Sequence, residues 1–302
     1  MSTPQVPKSL KTQNVETVVC LQCGVNMRFN PSPGTELEIG AYRYQISQHP
    51  ASKMEAAYAQ EAGKATVYQV RQLSESSPLF ALKVFKKDFR GAYVIASAER
   101  IRRYQHLPGM FGCERIILTR ELCSKLLRQY PELEYSVLMP WLGTESWFDV
   151  ISKKESLTFW EGLRLATHLS KCLHKLEHEG VAHCDISGGN VLIDRYQLKI
   201  ELIDLEDLFG PNIPSPTGYP MGTLGYQHRS SPKNIFGQWL LEGDRFSAAV
   251  LLAEMLTWHD EEIRESASEN IILTHVKCTR IVVVIKNCVV HSPQFLQNSQ
   301  SF

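Results

Sequence analysis

Two short segments near the middle of the chain constrain its fold most strongly: VAHCDISGGNVLID at 181–194 and LIDLEDL at 202–208. Each combines a run of branched apolar residues, typical of a short buried strand, with isolated acidic or amide side chains beside it. Two such strands in succession predict a small hairpin. The side chains of Asp185, Asn190 and Asp204 would then converge at one edge of that hairpin.

Converging oxygen donors of this kind indicate a site for a divalent cation and phosphates. Mg²⁺ prefers a few carboxylate oxygens and completes its coordination with water and substrate phosphates. Each of the three residues alone is also an ordinary turn residue, and for any single one that interpretation stays open. The three together favour a functional site. His183, which precedes them, is expected to support the loop by hydrogen-bonding backbone.

Composition excludes several other classes of protein. The chain has 302 residues, 43% apolar and 21% charged, as in a soluble globular protein with two domains or one two-lobed domain. Basic and acidic residues number 32 each, so no overall field favours nucleic acid or an anionic membrane. No apolar stretch approaches the ~20 residues that span a bilayer, and no signal peptide is apparent. Eight scattered cysteines then indicate free thiols in the cytoplasm.

Residues 1–34 are predicted to be a flexible tail. The tail contains CLQCG, in which Cys20 and Cys23 have the C-x₂-C spacing of half a zinc site. A structural zinc site needs four ligands, and no second pair at this spacing follows. Zinc binding is therefore the weaker of the two interpretations, and it stays open.

The remaining chain changes from strand-like to helical patterns. YRYQISQ, ATVYQVRQL, LFALKVF and YSVLMPWLG alternate or run apolar between polar breaks, as strands do. Apolar positions at helical spacing predict helices over 92–106, 114–130 and 157–179, and a further helix across RFSAAVLLAEMLTW. This order predicts an α+β fold of two lobes with a cleft between them. The β-rich N-lobe covers 35–140 and the helical C-lobe covers 141–260.

The motifs along this order resemble those of the protein-kinase-like superfamily, in the form of a divergent bacterial-type serine/threonine kinase. HCDISGGN at 183–190 resembles the catalytic loop H-x-D-x-x-x-x-N, and ALKVF at 81–85 resembles the strand motif V-A-I-K. IDLED at 203–207 takes the place of the metal-binding D-F-G segment. GTLGY at 222–226 resembles the end of an activation segment, and GDRFSAAVLLAEML resembles the large buried helix of the C-lobe. The resemblance runs from about residue 40 to 258 and implies the two-lobed kinase fold.

The resemblance implies a role for four residues. Asp185 takes the position of the base that accepts a hydroxyl proton, and Asn190 and Asp204 take those of the Mg²⁺ ligands. Lys83 is expected on the α- and β-phosphates of ATP. The cofactors implied are therefore ATP and Mg²⁺.

A buried Lys83 would need an anionic partner, because an unpaired ammonium is costly away from water. Glu99, sixteen residues further on, is the first candidate for that partner, and Glu114 is the second. A lysine whose stem snorkels to solvent is the alternative. Three more residues are expected to line the nucleotide site: Gly63, Val67 and Met139.

Several positions depart from the kinase pattern. Alignment on Val67 gives QEAGKATV, in which Gln60, Ala62 and Ala65 stand where the G-x-G-x-x-G loop has glycine. Side chains at these positions keep the backbone away from phosphates, which predicts weaker nucleotide binding. Cys184 replaces the arginine that precedes the catalytic aspartate. Two further departures are Ser187, where a lysine is usual, and Glu206, where D-F-G has glycine.

The C-terminal end differs from the family as well. After Trp258 the family has several more helices, whereas residues 261–302 show neither helical periodicity nor a strand pattern. They are expected to be a divergent tail on a C-lobe that is truncated or frame-shifted, and a small divergent cap is the alternative.

Three functions remain compatible with these residues. The first is Mg-ATP-dependent phosphoryl transfer to a serine or threonine hydroxyl of a protein substrate. The second is a pseudokinase that binds or scaffolds, which the lost glycines and Ser187 favour. The third is a small-molecule kinase of the aminoglycoside or choline kinase type, because IDLED resembles the I-D-[WF]-E of those enzymes. Nucleic acid and membrane are not expected partners, and the oligomeric state is left open.

Overall fold

An antiparallel sheet of seven strands forms the first half of the chain in the computed structural model, which describes residues 29–51, 56–211, 213, 223, 225–226 and 240–267. Its strands are β1 Glu36–Ile39, β2 Tyr42–Ile46, β3 Ala59–Glu61, β4 Ala65–Gln72, β5 Leu79–Phe85, β6 Ile116–Ile117 and β7 Val137–Pro140. The hydrogen-bonded order is β1-β2-β4-β5-β7-β6, and β3 also pairs with β4.

One helix packs on each face of this sheet. Side chains alternate between the faces of β5, so Leu82 lies on one face and Lys83 and Phe85 lie on the other. Leu82 packs with buried residues of β1, β2 and α2 (Arg120–Gln129). Phe85 packs with residues of β7 and of α1 (Tyr93–Arg102). Lys83 therefore lies on the same face of the sheet as α1.

Helices dominate the described residues of the second half of the chain. They are α3 Trp147–Ser152, α4 Phe159–His178, α5 Asp244–Thr257 and α6 Glu261–Ser266. A small sheet in the order β10-β9-β8 accompanies them, with strands β8 Glu145–Ser146, β9 Val191–Asp194 and β10 Lys199–Leu202. The core of this half includes the edge-to-face pair of Trp147 and Trp258, whose ring centroids are 5.7 Å apart.

Helix α4 shows why the long amphipathic segment folds as predicted. Thr158 and Glu161 form a reciprocal capping box that satisfies backbone donors at its N-terminus. Its buried residues recur at helical spacing, from Gly162 through Leu165 and Leu169. The predicted hairpin is also confirmed, since β9 and β10 pair antiparallel.

The predicted α+β fold of two lobes is confirmed, but the helix predicted over 114–130 is wrong at its beginning. Ile116 and Ile117 form β6 and pair with β7, where β-branched side chains pack well. The helix begins only after Thr119, whose hydroxyl accepts from the Leu122 N–H at 3.4 Å. Strands β1 and β3 were not predicted.

Both ends of the chain extend beyond the part that the structure describes. Residues 1–28, with Cys20 and Cys23, lie outside the described residues, as do residues 268–302. Phe29 is buried against Tyr68, so the described chain enters the core before residue 35. No helix in the described part of the chain is both long and apolar enough to cross a bilayer.

Candidate active site

A half-buried aspartate at the start of α5 holds the loop that follows α4. Asp244 accepts the backbone N–H of His183 at 2.5 Å and the N–H of Cys184 at 2.8 Å. His183 is fully buried, and its Nε2 donates to the carbonyl of Ile203 at 2.9 Å. As predicted, this histidine hydrogen-bonds backbone and joins the loop to the end of β10. Cys184 adopts a left-handed φ of 66°, which turns the chain toward Asp185.

Asp185 and Asn190 lie together at the end of this loop. The Asn190 Nδ2 donates to the backbone carbonyl of Asp185 at 2.8 Å and to its Oδ2 at 3.0 Å. The other carboxylate oxygen, Oδ1, accepts the hydroxyl of Thr223 at 3.0 Å. Burial raises the pKa of Asp185, although these hydrogen bonds oppose the shift. Asp185 is therefore oriented on both sides by neutral donors.

The hairpin brings Asp204 to the same place. The backbone N–H of Ile203 donates to the carbonyl of Asn190 at 3.1 Å. Asp204 itself has a left-handed φ of 61°, and its side chain is 45% exposed. This geometry points its carboxylate at β5, where Oδ1 accepts from the Lys83 Nζ at 2.5 Å. The structure thus brings together Lys83, Asp185, Asn190 and Asp204, as the sequence predicts.

Lys83 is deeply buried and held by two carboxylates. Only 6% of the residue is exposed, and its Nζ also donates to the Glu206 Oε2 at 2.6 Å. Burial alone disfavours the ammonium, but the charges and hydrogen bonds of Glu206 and Asp204 outweigh it and raise the pKa of Lys83. The alternative of a snorkelling surface lysine is therefore wrong.

Glu206 links Lys83 to a second buried cation. Its Oε1 accepts from the Arg115 Nη1 at 2.6 Å, and Arg115 is 3% exposed. Burial on its own would raise the pKa of Glu206, yet Arg115 and Lys83 hold that pKa well below its usual range. The carboxylate is therefore charged and bridges both cations.

The prediction that Glu99 pairs with Lys83 is wrong in this structure. Glu99 follows the buried Ala98 on α1, and its side chain faces solvent. The second candidate, Glu114, is exposed as well. Sequence analysis missed Glu206 as the partner, although the signal was present: an acidic residue stands where D-F-G has glycine.

The face of the sheet around Lys83 is otherwise apolar. In the strand register Val67 lies opposite Lys83, and Met139 lies opposite Ala81. Opposed residues share a face, and so do alternate residues of one strand. Val67, Ala81 and Met139 therefore surround Lys83 with apolar side chains. Such a surface fits a flat heterocycle such as adenine, with the ammonium placed for phosphates.

Gly63 lies in the tight turn between β3 and β4, where the Ala62 N–H donates to the Ala65 carbonyl at 2.8 Å. The next residue, Lys64, reaches the segment that follows Asp204. Its Nζ contacts both carboxylate oxygens of Asp207 at 2.8 Å. This turn, which lacks glycine at the three positions of the G-x-G-x-x-G pattern, is thus connected to the segment after Asp204 on the other side of the cleft.

The oxygen donors of the site fit Mg²⁺. The Nδ2 of Asn190 is used by Asp185, which leaves its amide oxygen as the group that a cation would contact. Asp204 supplies an accessible carboxylate next to it. In the part of the chain that the structure describes, no three His, Cys, Asp or Glu residues gather to hold a metal by themselves. Mg²⁺ suits this arrangement, because it usually takes one or two carboxylates together with substrate phosphates.

Comparisons with known proteins agree with this geometry. A family model described as protein kinase domain matches residues 61–297. A probable LRR receptor-like serine/threonine-protein kinase of Arabidopsis thaliana is 28% identical over 256 residues, which cover 76% of this chain and 24% of the relative. The chain thus spans about a quarter of the length of the curated relative that it matches.

Proposed function

The chain belongs to the protein kinase family, a family of phosphoryl transferases, and on that premise we propose that it transfers the γ-phosphoryl group of ATP to a serine or threonine hydroxyl of a protein substrate. The observation that carries this proposal is the contact of 2.5 Å between Lys83 on β5 and Asp204 after β10. It joins the lysine of one lobe that we propose binds phosphates to the carboxylate of the other lobe that we propose binds the metal.

Each of the converging residues has a task in the proposed reaction. Lys83 holds phosphate oxygens, and its ammonium balances their charge. Asp185 orients the incoming hydroxyl and accepts its proton, while Asn190 keeps the Asp185 carboxylate in place. Asp204 and the amide oxygen of Asn190 would hold Mg²⁺, which supplies charge neutralisation at the phosphates when bound.

An aliphatic hydroxyl as acceptor is supported by the contact of Thr223 with Asp185. The Thr223 hydroxyl lies 3.0 Å from Oδ1, so the space beside this carboxylate already accommodates an alcohol. The similarity to a probable serine/threonine-protein kinase points to the same acceptor class. A protein substrate and a cytoplasmic location belong to this proposal. The location is supported by the free thiols of Cys113, Cys123 and Cys172.

Incubation with γ-labelled ATP and Mg²⁺ tests the proposal. The protein is mixed with a generic acceptor protein and, separately, with aminoglycosides and choline, and wild type is compared with Asp185→Asn. We expect label on serine or threonine with wild type alone. The Asn side chain keeps the shape of Asp185 but cannot accept the proton.

A pseudokinase is the second candidate. The ion pair of Lys64 and Asp207 connects the two sides of the cleft, and Ser187 stands where kinases usually have a lysine, so one positive charge is missing from the site. For a pseudokinase, no acceptor carries label, although nucleotide still binds. Label on a small molecule would instead indicate a kinase of the aminoglycoside or choline type. Either result would overturn the proposed protein substrate.

A further inference from the structure

We propose that Glu206, fixed by Arg115, is the residue that positions Lys83, in place of a carboxylate on helix α1. This inference rests on the proposed function and assigns a positioning role to two residues of the same site. Its consequence is that no carboxylate of α1 is needed to hold Lys83 in place.

The geometry of Glu206 is that of a bridge. One carboxylate oxygen faces Lys83 at 2.6 Å and the other faces Arg115 at 2.6 Å. All three side chains are removed from water, with side-chain exposures of 7% for Lys83, 18% for Glu206 and 3% for Arg115. A carboxylate whose two oxygens contact two buried cations has little freedom to turn away, because the loss of either contact would leave a buried cation unpaired.

Arg115 is itself anchored by backbone. Its Nε donates to the carbonyl of Gly112 at 3.1 Å, and its own carbonyl accepts from the guanidinium of Arg102. An arginine side chain is a permanent cation that binds a carboxylate in a fixed geometry. Glu206 is therefore held by a fixed charge on the N-lobe side, independently of nucleotide.

Asp204 differs from Glu206 in a way that separates their tasks. Its side chain is 45% exposed, whereas that of Glu206 is 18% exposed. Asp204 can therefore turn to a cation, while Glu206 remains on Lys83. If Asp204 were the sole anion at Lys83, the same carboxylate would have to serve both the lysine and the metal.

Helix α1 carries no competing partner. Its sequence, YVIASAERIR, contains a single acidic residue, Glu99, and that side chain is exposed. Among the described residues, the carboxylates in contact with the Lys83 ammonium are Asp204 and Glu206. The buried face of α1 is apolar and packs against the sheet through Val94.

The first test uses nucleotide-free protein and does not depend on catalysis. Urea unfolding of Lys83→Met, Glu206→Gln, Arg115→Met and their pairs forms two double-mutant cycles. We expect the midpoint shifts of Lys83→Met with Glu206→Gln, and of Arg115→Met with Glu206→Gln, to be strongly non-additive. The pair of Lys83→Met with Glu99→Gln is the matched control and should be additive. Coupling between Lys83 and Glu99, or none between Lys83 and Glu206, would overturn the inference.

The second test separates positioning from folding by steady-state kinetics. Glu206→Gln keeps the size of the side chain, so we expect a loss of at least about tenfold in kcat with the KM for ATP within about threefold, as for an interaction that matters in the transition state. Arg115→Lys, which keeps the charge, should retain more kcat than Arg115→Met. Full kcat in Glu206→Gln, or an equal loss in Glu99→Gln, would contradict the role.

The two tests also distinguish this inference from the proposed function. Wild type that phosphorylates no acceptor, together with coupled unfolding of Lys83 and Glu206, would contradict the proposed function and leave the anchoring of Lys83 intact. If wild type is active but the midpoint shifts of Lys83→Met and Glu206→Gln are additive, the proposed function stands and the anchoring of Lys83 by Glu206 is wrong.

Discussion

Asp204 and Asp185 differ in what their oxygens already contact. Both oxygens of Asp185 accept hydrogen bonds from the neutral side chains of Asn190 and Thr223, whereas Asp204 contacts the Lys83 ammonium through Oδ1 and its side chain is 45% exposed. We expect Asp204→Ala to weaken Mg-ATP affinity by roughly tenfold or more, about 1.4 kcal/mol, and Asp185→Ala to weaken it much less. Calorimetry with Mg-ATP measures both.

Metal-free ATP serves as the control for this pair. Without Mg²⁺, removal of the Asp204 carboxylate should leave ATP affinity unchanged or tighter, because a negative charge near the phosphates is lost. Equal weakening of Mg-ATP by both variants would show that the two roles are assigned wrongly.

Glu254 on α5 is a buried acid whose charge the fold opposes. Its Oε2 accepts from the Trp147 Nε1 at 2.9 Å and from the Tyr226 hydroxyl at 3.0 Å, and the residue is 2% exposed. Burial raises the pKa of Glu254 from 4.5 to about 7, although both hydrogen bonds oppose the shift. The folded protein therefore binds this proton more tightly than the unfolded chain does.

The sign of the effect on stability follows from that direction. The contribution of protonated Glu254 is fully present below pH ~4.5 and is lost as the pH rises through about 7. The loss amounts to roughly 3 kcal/mol, since one unit of pKa corresponds to ~1.4 kcal/mol. We expect Glu254→Gln to remove this loss, so that the free energy of unfolding of wild type falls relative to that of the variant between pH 5 and 8. Urea unfolding across that range measures it.

A matched acid on the surface provides the control for Glu254. Glu75 is exposed in the turn before β5, so Glu75→Gln should leave the pH profile of unfolding as it is in wild type. Parallel profiles for wild type and Glu254→Gln would show that the buried carboxyl does not set the pH dependence.

Single residues also show where sequence reasoning reaches its limit. Asp185, Asn190 and Asp204 could be predicted to converge, because they flank two successive strand-like segments, and the resemblance to kinases added Lys83. The partner of Lys83 could not be predicted. Glu99 and Glu206 are both acidic, and the sequence does not show which of them contacts Lys83. The answer depends on which side of α1 faces solvent. That side depends on how α1 packs on the sheet.

Gly162 of α4 lies close to the backbone of α5. A Cβ added there would lie 2.3 Å from the backbone carbonyl oxygen of Met255 on α5, and a helix backbone cannot move aside easily. We expect Gly162→Ala to lower the free energy of unfolding by ~1–3 kcal/mol through overpacking. Chemical denaturation measures the change.

Gly243 is the matched control for this substitution. It precedes α5 with a helical φ of −56°, and an added Cβ meets nothing within 4 Å. Gly243→Ala should be neutral or slightly stabilising, because it restricts the unfolded chain without strain. If Gly162→Ala and Gly243→Ala change the free energy of unfolding equally, α4 and α5 are not in close contact at Gly162.

The turn between β3 and β4 is connected across the cleft by Lys64 and Asp207. We expect phosphates to compete with Asp207 for this lysine, so that Asp207→Asn strengthens ATP binding several-fold at low salt. The Lys64 side chain is 48% exposed, so the effect should shrink as ionic strength rises from about 0.01 to 1 M. Titrations of ATP at several salt concentrations measure it.

Two comparisons sharpen this prediction. Lys64→Met should weaken ATP binding, and Asp207→Asn should have no effect in the Lys64→Met background, because the competing pair is then absent. Tighter binding of ATP by Asp207→Asn that persists unchanged at high salt would contradict competition for Lys64.

The elements themselves were predictable where one pattern dominates. Helix α4 has an amphipathic pattern over its whole length and a capping box at its start, so periodicity alone identifies it. The region 114–130 contains a strand and a helix in succession. The apolar residues of this region recur at helical spacing, which predicts a helix throughout. Ile116 and Ile117 are nevertheless a strand, because they pair with β7. Such pairing depends on distant residues and cannot be read from a local window.

Across both lobes, charge is arranged to hold the cleft together without external ligands. Lys83 and Arg115 on the N-lobe side face Asp204 and Glu206 from the segment after β10, and Lys64 faces Asp207. The two buried cations, Lys83 and Arg115, each contact a carboxylate, which offsets the cost of an isolated buried charge. The segment after β10 is thereby fixed to the sheet by contacts within the chain.

Control by phosphorylation of the segment between Leu205 and Tyr226 is therefore not expected. In kinases with arginine before the catalytic aspartate, that guanidinium lies beside the aspartate and is neutralised by a phosphate on the segment. Here Cys184 takes the position and is held through its backbone N–H by Asp244 at 2.8 Å. No cation at this position calls for a phosphate.

Phosphatase treatment should accordingly leave the rate of phosphoryl transfer unchanged. The double substitution of Ser215→Ala with Thr217→Ala, at two hydroxyls of that segment which lie outside the described residues, should do the same. Rates of acceptor labelling before and after treatment measure this, with a kinase known to need segment phosphorylation as the positive control. A tenfold fall after either change, equivalent to ~1.4 kcal/mol in the barrier, would mean that a basic residue elsewhere binds a phosphate on this segment. The contacts of Glu206 and Lys64 would then be insufficient to hold the active arrangement.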